Sequence, residues 1–103
     1  MKNYDEVAGF DWDEGNRAKC QKHGVSVAEV EGLFSRALLI IPDASHSHAE
    51  ERLWAIGKTA SGRSVFLVFT LRERAGKRFV RPVSARYMHK NEVRSYEEEN
   101  PDV

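Results

Sequence analysis

The chain has 103 residues, which supports one hydrophobic core and leaves no room for a second. Its makeup, 41% hydrophobic and 31% charged, is that of a soluble globular protein and excludes a disordered or membrane-spanning class. Basic and acidic residues, 16 of each, cancel to zero net charge, so nucleic-acid binding through bulk charge is excluded and only local patches could serve it. One domain over residues 1–103 is expected, with an ordered core over about 9–98.

The opening residues 1–7 are polar and charged, without the apolar stretch of a leader, and a cytoplasmic location is expected. Cys20 is the single cysteine. It can form no intrachain disulfide, fits a reducing compartment, and reads as either an ordinary helix position or a reactive thiol.

Phe10 and Trp12 flank Asp11 in the alternation of a short strand. Asp13, or Asp11, is placed to cap a helix running through His23, and Gly24 stands where a helix stop favours glycine. Ser26 and Glu29 have capping-box spacing for a second helix with Val27, Val30 and Phe34 on one face. The pattern then turns to strands. Residues 37–41 are apolar and closed by Pro42, 43–49 form a polar loop, and 52–57 carry Leu53, Trp54 and Ile56. Ser61-Gly62 is a hairpin signal, and the unbroken apolar run 64–70 predicts a central strand. Residues 71–77 read as a charged connection. The last strand, 78–85, has Phe79, Val83 and Ala85 on one face, and Pro82 within it favours an edge or a bulge. A final helix follows, with His89 as cap, Glu92 reaching back to it, Met88 and Val93 at staple spacing, and Val93 and Tyr96 facing inward. The fold class expected is α+β: two N-terminal helices, an antiparallel meander of about four strands, and a C-terminal helix.

Several short patterns, in this order, resemble one family. They are Phe10-Asp11-Trp12-Asp13, Lys22-His23-Gly24-Val25-Ser26, Glu51-Arg52, Ile56-Gly57, Ser84-Ala85-Arg86 and Tyr96-Glu97. Together they are similar to the BrnT family of toxins from bacterial toxin–antitoxin pairs, over roughly residues 9–98. The resemblance implies a fold like that of RelE-type ribonucleases and RNA cleavage that halts translation. It also implies neutralisation by a BrnA-like ribbon-helix-helix antitoxin, with DNA engaged only indirectly through that partner.

RNA cleavage without a metal or other cofactor uses the 2′-hydroxyl as nucleophile. It needs a group to hold the phosphorane charge and groups to move protons. Arginine suits the first task, because its fork binds two phosphate oxygens and stays charged. Arg86 at a strand end and Arg52 opening a strand beside Glu51 are the candidates, expected to converge on one lip of the sheet. The plainer alternatives are an Arg86 pair with Glu97 or Glu98 and an exposed Arg52 edge pair. Glu51, His23 and Tyr96 are candidates for proton transfer. His23 also reads as a helix-end cation, and Tyr96 as a core residue with a wet hydroxyl.

Lys22, Arg78, Arg81, Lys90 and Arg94 are the candidate RNA contacts. They belong to a segregated pattern, because from residue 72 to residue 94 the basic side chains outnumber Glu73 and Glu92 several-fold. Trp12 and Trp54 read as core anchors, Trp54 alternatively as a partner contact or base platform. His46 and His48 near Asp43 and Glu50 lack a fixed third ligand, so no metal site is expected. A non-enzymatic reading also stands, in which the chain binds its antitoxin to repress a promoter; the thin basic segment at 89–95 and the zero net charge motivate it.

Overall fold

The structure, a computed structural model, describes residues 7–42 and 52–99, apart from the side chain of Tyr96. The chain runs β1 (Gly9–Phe10), α1 (Glu14–Gln21), α2 (Val27–Leu33), β2 (Leu38–Pro42), β3 (Arg52–Lys58), β4 (Ser64–Arg74), β5 (Lys77–Tyr87) and α3 (Lys90–Glu99). The class is α+β, with the helix order expected from sequence. The strands form one five-stranded sheet in the order β1-β5-β4-β3-β2. β2 to β5 make the antiparallel meander, and β1 adds itself parallel to β5 through Gly9–Phe79 and Phe10–Val80 pairs, which makes the sheet mixed. The short strand is therefore Gly9–Phe10 and ends before Trp12, whose indole Nε1 instead donates to Glu31 of α2 at 2.8 Å.

Both early helices begin on the side-chain caps their sequences announce. Asp13 accepts from the Asn16 backbone at 2.8 Å while the Asn16 amide oxygen accepts from the Asp13 backbone at 2.7 Å. Asp13, not Asp11, is thus the cap. Ser26 and Glu29 repeat the arrangement for α2, both at 3.0 Å. α1 is shorter than expected and closes on Lys22, with Gly24 following at φ +90°, a conformation that side chains resist.

α1 and α2 pack on one side of the sheet. There Cys20, Val30 and Leu33 meet Leu53, Ala55, Leu67, Phe69, Val80 and Ala85, all at most 2% exposed. The valine, leucine and phenylalanine side chains among them each contribute roughly 1.5–3 kcal/mol by leaving water. Phe34 sits edge-on between Phe10 and Phe69, with ring centroids 5.5 and 5.4 Å away. Burial pushes the Cys20 thiol up to about 11, so the cysteine is a core residue and not a reactive one at neutral pH.

Two expectations for the later strands are corrected. Residues 71–77 are not a loose connection. β4 and β5 pair out to Arg74–Lys77 and are joined by Ala75 and Gly76 alone, both at positive φ (52° and 76°), the hairpin whose twist matches its strands. Phe79, Val83 and Ala85 do not share a face. Phe69 pairs with Pro82 but Val68 pairs with Ser84, so β5 holds one surplus residue at a bulge. Alternation reverses there: Val80 and Pro82 face the core before it, and Ala85 after it. Phe79 faces the other way. Pro82 thus marks a bulge, one of the two placements its sequence position allowed.

A candidate active site on the rim of β5

The bulge has a direct consequence for Arg86. With Ala85 turned to the core, Arg86 projects from the side that α1 and α2 leave uncovered, next to Phe66 across the strand pair. His23 comes from the turn that follows α1. His23, Phe66, Ser84, Ala85 and Arg86 line a small cavity of about 110 Å³. Two of the candidate catalytic residues are therefore brought together, one an imidazole and one a guanidinium. Lys22, the exposed C-cap of α1, flanks them.

Arg86 is held from two directions. Its Nη1 and Nη2 donate to both carboxylate oxygens of Glu92 at 2.9 and 3.0 Å, a fork-to-fork pair. Its guanidinium carbon lies 5.0 Å from the Phe66 ring centre, within cation–π range. Arg86 holds the Glu92 carboxyl down at about 2, helped by the hydrogen bond that Glu92 accepts from the His89 backbone. The pair is not sealed from water, with the side chains 40% and 37% exposed. Arg86 does form an ion pair, then, but with Glu92 rather than with Glu97 or Glu98. The same Glu92 oxygen reaches back to His89, the capping role its spacing announced.

Between α3 and the β3–β4 turn lies a larger groove of about 770 Å³, lined by Arg63, Ser64, Lys90, Val93, Arg94 and Glu97 among others. It gathers two of the candidate RNA contacts, Lys90 and Arg94, and adds Arg63. The Arg63 guanidinium stacks 3.4 Å over the Tyr87 ring, and the Tyr87 hydroxyl donates to Glu29 at 2.7 Å. Glu29 is lowered first by the Ser26 backbone hydrogen bond and then by Tyr87, while the Tyr87 hydroxyl is raised by its bond to Glu29. α3 is fastened to β3 by a Lys58–Glu97 pair of 3.0 Å.

The expected convergence of Arg52 and Arg86 does not occur. Arg52 pairs with Thr70, and Arg86 with Phe66, four residues along β4 and on its other side. That separates them by about 13 Å along the strands and about 10 Å across them. Arg81 lies in the Thr70 row and is engaged by Asp13 at 2.7 Å and Asp11 at 3.5 Å, with Arg74 also on Asp11 at 3.1 Å. Its pairs raise its pKa and lower that of Asp13, whose largest cause is the Asn16 cap. Arg78 stands opposite Glu73 near the Ala75-Gly76 turn, away from Arg86. Glu51 lies outside the described residues, as do Asp43, His46, His48 and Glu50, and so does the side chain of Tyr96.

Sequence reading missed Phe66, Ser84 and Arg63, and saw Glu92 only as a capping residue. Phe66 lies within an apolar run whose two sides cannot be told apart from composition. The Arg86–Glu92 pair spans a strand end, a turn and a helix start, so no fixed spacing announces it.

A family model for the ribonuclease toxin BrnT of type II toxin–antitoxin systems matches residues 12–92. The chain belongs to the BrnT family. That family is one of ribonuclease toxins, and a type II system pairs the toxin with an antitoxin partner. A comparison with curated proteins finds no match. The matched segment contains α1, α2, the strands β2 to β5 and Glu92, so it includes every group that lines the His23–Arg86 cavity. Among the described residues, no helix is long and apolar enough to cross a membrane.

Proposed function

We propose that this BrnT chain is an endoribonuclease that cleaves RNA without a metal and thereby inhibits translation, with Arg86 and His23 at its chemical centre. The observation that carries the reading is their shared cavity at an open strand rim. The 2′-oxygen attacks phosphorus, the 5′-oxygen leaves, and the products are a 2′,3′-cyclic phosphate and a 5′-hydroxyl. Arg86 exchanges Glu92 for two phosphorane oxygens, which offer its fork the same bidentate geometry. His23 transfers a proton at the 2′- or 5′-oxygen. Lys22, Lys90 and Arg94 hold flanking phosphates. Arg78 and Arg81 serve the far end of a longer RNA path, and Arg52 contacts RNA rather than the scissile phosphate. Glu51 and Tyr96 stand as further proton-transfer candidates.

The wider reading includes a fold related to RelE-type ribonucleases, a cytoplasmic site of action, and a BrnA-like ribbon-helix-helix antitoxin that links the toxin indirectly to DNA. Purified protein incubated with end-labelled RNA in EDTA tests the central claim. Cleavage leaving cyclic phosphate ends, and its loss in Arg86→Ala, is the expected result. Absence of cleavage by the wild type refutes the reading.

One observation favours a second reading. Glu92 occupies both prongs of Arg86, as it would in an inactive homologue kept for binding its antitoxin and repressing a promoter. Expression of the chain alone separates the two: an active toxin arrests growth, and an inert partner does not.

A further inference from the structure

The two sides of the sheet place their aromatic residues differently. On the helix side, Phe69 is fully buried and locked against Phe34. On the other side, Trp54 of β3 and Phe66 of β4 remain half-buried, outside the core cluster, with ring centroids 5.5 Å apart and planes 57° apart. They lie on one face by register, because Trp54 pairs with Val68 and Ile56 with Phe66. Cations bracket them. Arg86 lies over Phe66, and Arg52 is on the same face as Trp54, two residues earlier in β3, with no partner among the described residues. Between Arg52 and Arg86, this face of β3, β4 and β5 presents no acidic side chain.

We propose that Trp54 and Phe66 form a base-stacking platform for single-stranded RNA, with Arg86 and Arg52 holding phosphates on either side of it. The ligand class rests on the RNA-cleaving reading above; the platform itself rests on the placement of these four side chains. Aromatic faces between cations suit single strands, because any base offers a π-face to stack and its backbone supplies the charge. A duplex keeps its bases stacked on each other and gains only the electrostatic part. The arrangement also gives Arg52 a task that does not require it to reach the scissile phosphate.

The test uses the full chain carrying Trp12→Phe, so that Trp54 is the remaining tryptophan, and a short oligonucleotide 2′-O-methylated throughout. Such an oligonucleotide lacks the nucleophile and cannot be cleaved. Single strands should quench Trp54 fluorescence, and a duplex of the same length should bind more weakly. By anisotropy, Phe66→Leu and Trp54→Leu should each weaken binding on the order of tenfold, while Phe66→Tyr and Trp54→Phe retain it. Arg52→Ala should reduce the salt dependence of binding by about one phosphate contact. Circular dichroism confirms that the leucine variants are folded.

Absence of quenching, or wild-type binding by folded leucine variants, overturns the platform. So does a changed sedimentation coefficient of the RNA-free leucine variants, which would make this face a contact between copies of the chain. Quenching without cleavage of unmodified RNA keeps the platform and removes the nuclease. Cleavage without quenching does the reverse.

Discussion

The covered and uncovered sides of this sheet are built from the same three strands, residue by alternate residue, yet they differ in purpose. Toward α1 and α2, the side chains are aliphatic or aromatic and sealed, and their contribution is to stability. Away from those helices, Arg52, Trp54, Phe66 and Arg86 stay partly wet, with Phe66 touching both the Trp54 ring and the Arg86 guanidinium. Period-two alternation allows one strand to carry a core and a working surface without either compromising the other. The working surface is stabilised by the core beneath it, so its own groups are free to be polar, strained or exchangeable.

Substitutions that strike one side at a time should separate these purposes. The largest effect is expected for Phe69→Ala, which opens a cavity beside Phe34; about 3–5 kcal/mol of stability should be lost in urea unfolding. Next comes Arg86→Ala. If the two sides are independent, it lowers RNA cleavage by about 10²–10³-fold, while unfolding shifts by no more than about 1 kcal/mol, the worth of an exposed pair. A large stability loss in that variant would break the comparison.

Gly57→Ala is a smaller test from the covered side. Its Cβ would stand 2.8 Å from Leu38 Cδ1 and 3.5 Å from Leu33 Cδ2, and about 1–3 kcal/mol of overpacking is expected by thermal unfolding.

The smallest effect concerns Glu92, whose carboxyl is lowered from 4.5 to about 2. A depressed carboxylate stabilises the folded state above its unfolded pKa and ceases to do so as pH falls through the folded value. The melting temperatures of wild type and Glu92→Gln should therefore differ above pH 4.5 and converge as pH falls toward about 2. A constant difference across that window would show that the pair does not link to stability.

The parts of the fold that rest on neighbours in sequence were legible. Asp13 and Ser26 announced their helices because capping chemistry has a fixed three-residue reach. The central strand and the turn around Gly62 were legible for similar reasons, through an apolar run and a turn dipeptide. What escaped was set by distant partners. β1 exists because β5 offers it an edge, and the Ala75-Gly76 turn lies among charged residues without the usual asparagine or aspartate. At the site, Arg86 and His23 were both named from sequence, but their meeting depends on where the turn after α1 lies against β5. The pairing of Arg52 with Arg86 failed for a related reason. Both stand at strand ends, but at opposite ends of the sheet, and strand direction is invisible in a list of residues.

The surplus residue in β5 gives chain length itself a meaning at this one place. Removing Val83, between Pro82 and Ser84, would take out the surplus residue and leave a regular ladder, with Arg86 still opposite Phe66 and Ala85 still toward the core. The bulge is therefore the place where β5 can lose a residue without exchanging its faces, whereas a one-residue slip in the regular pairing on either side of it would exchange them.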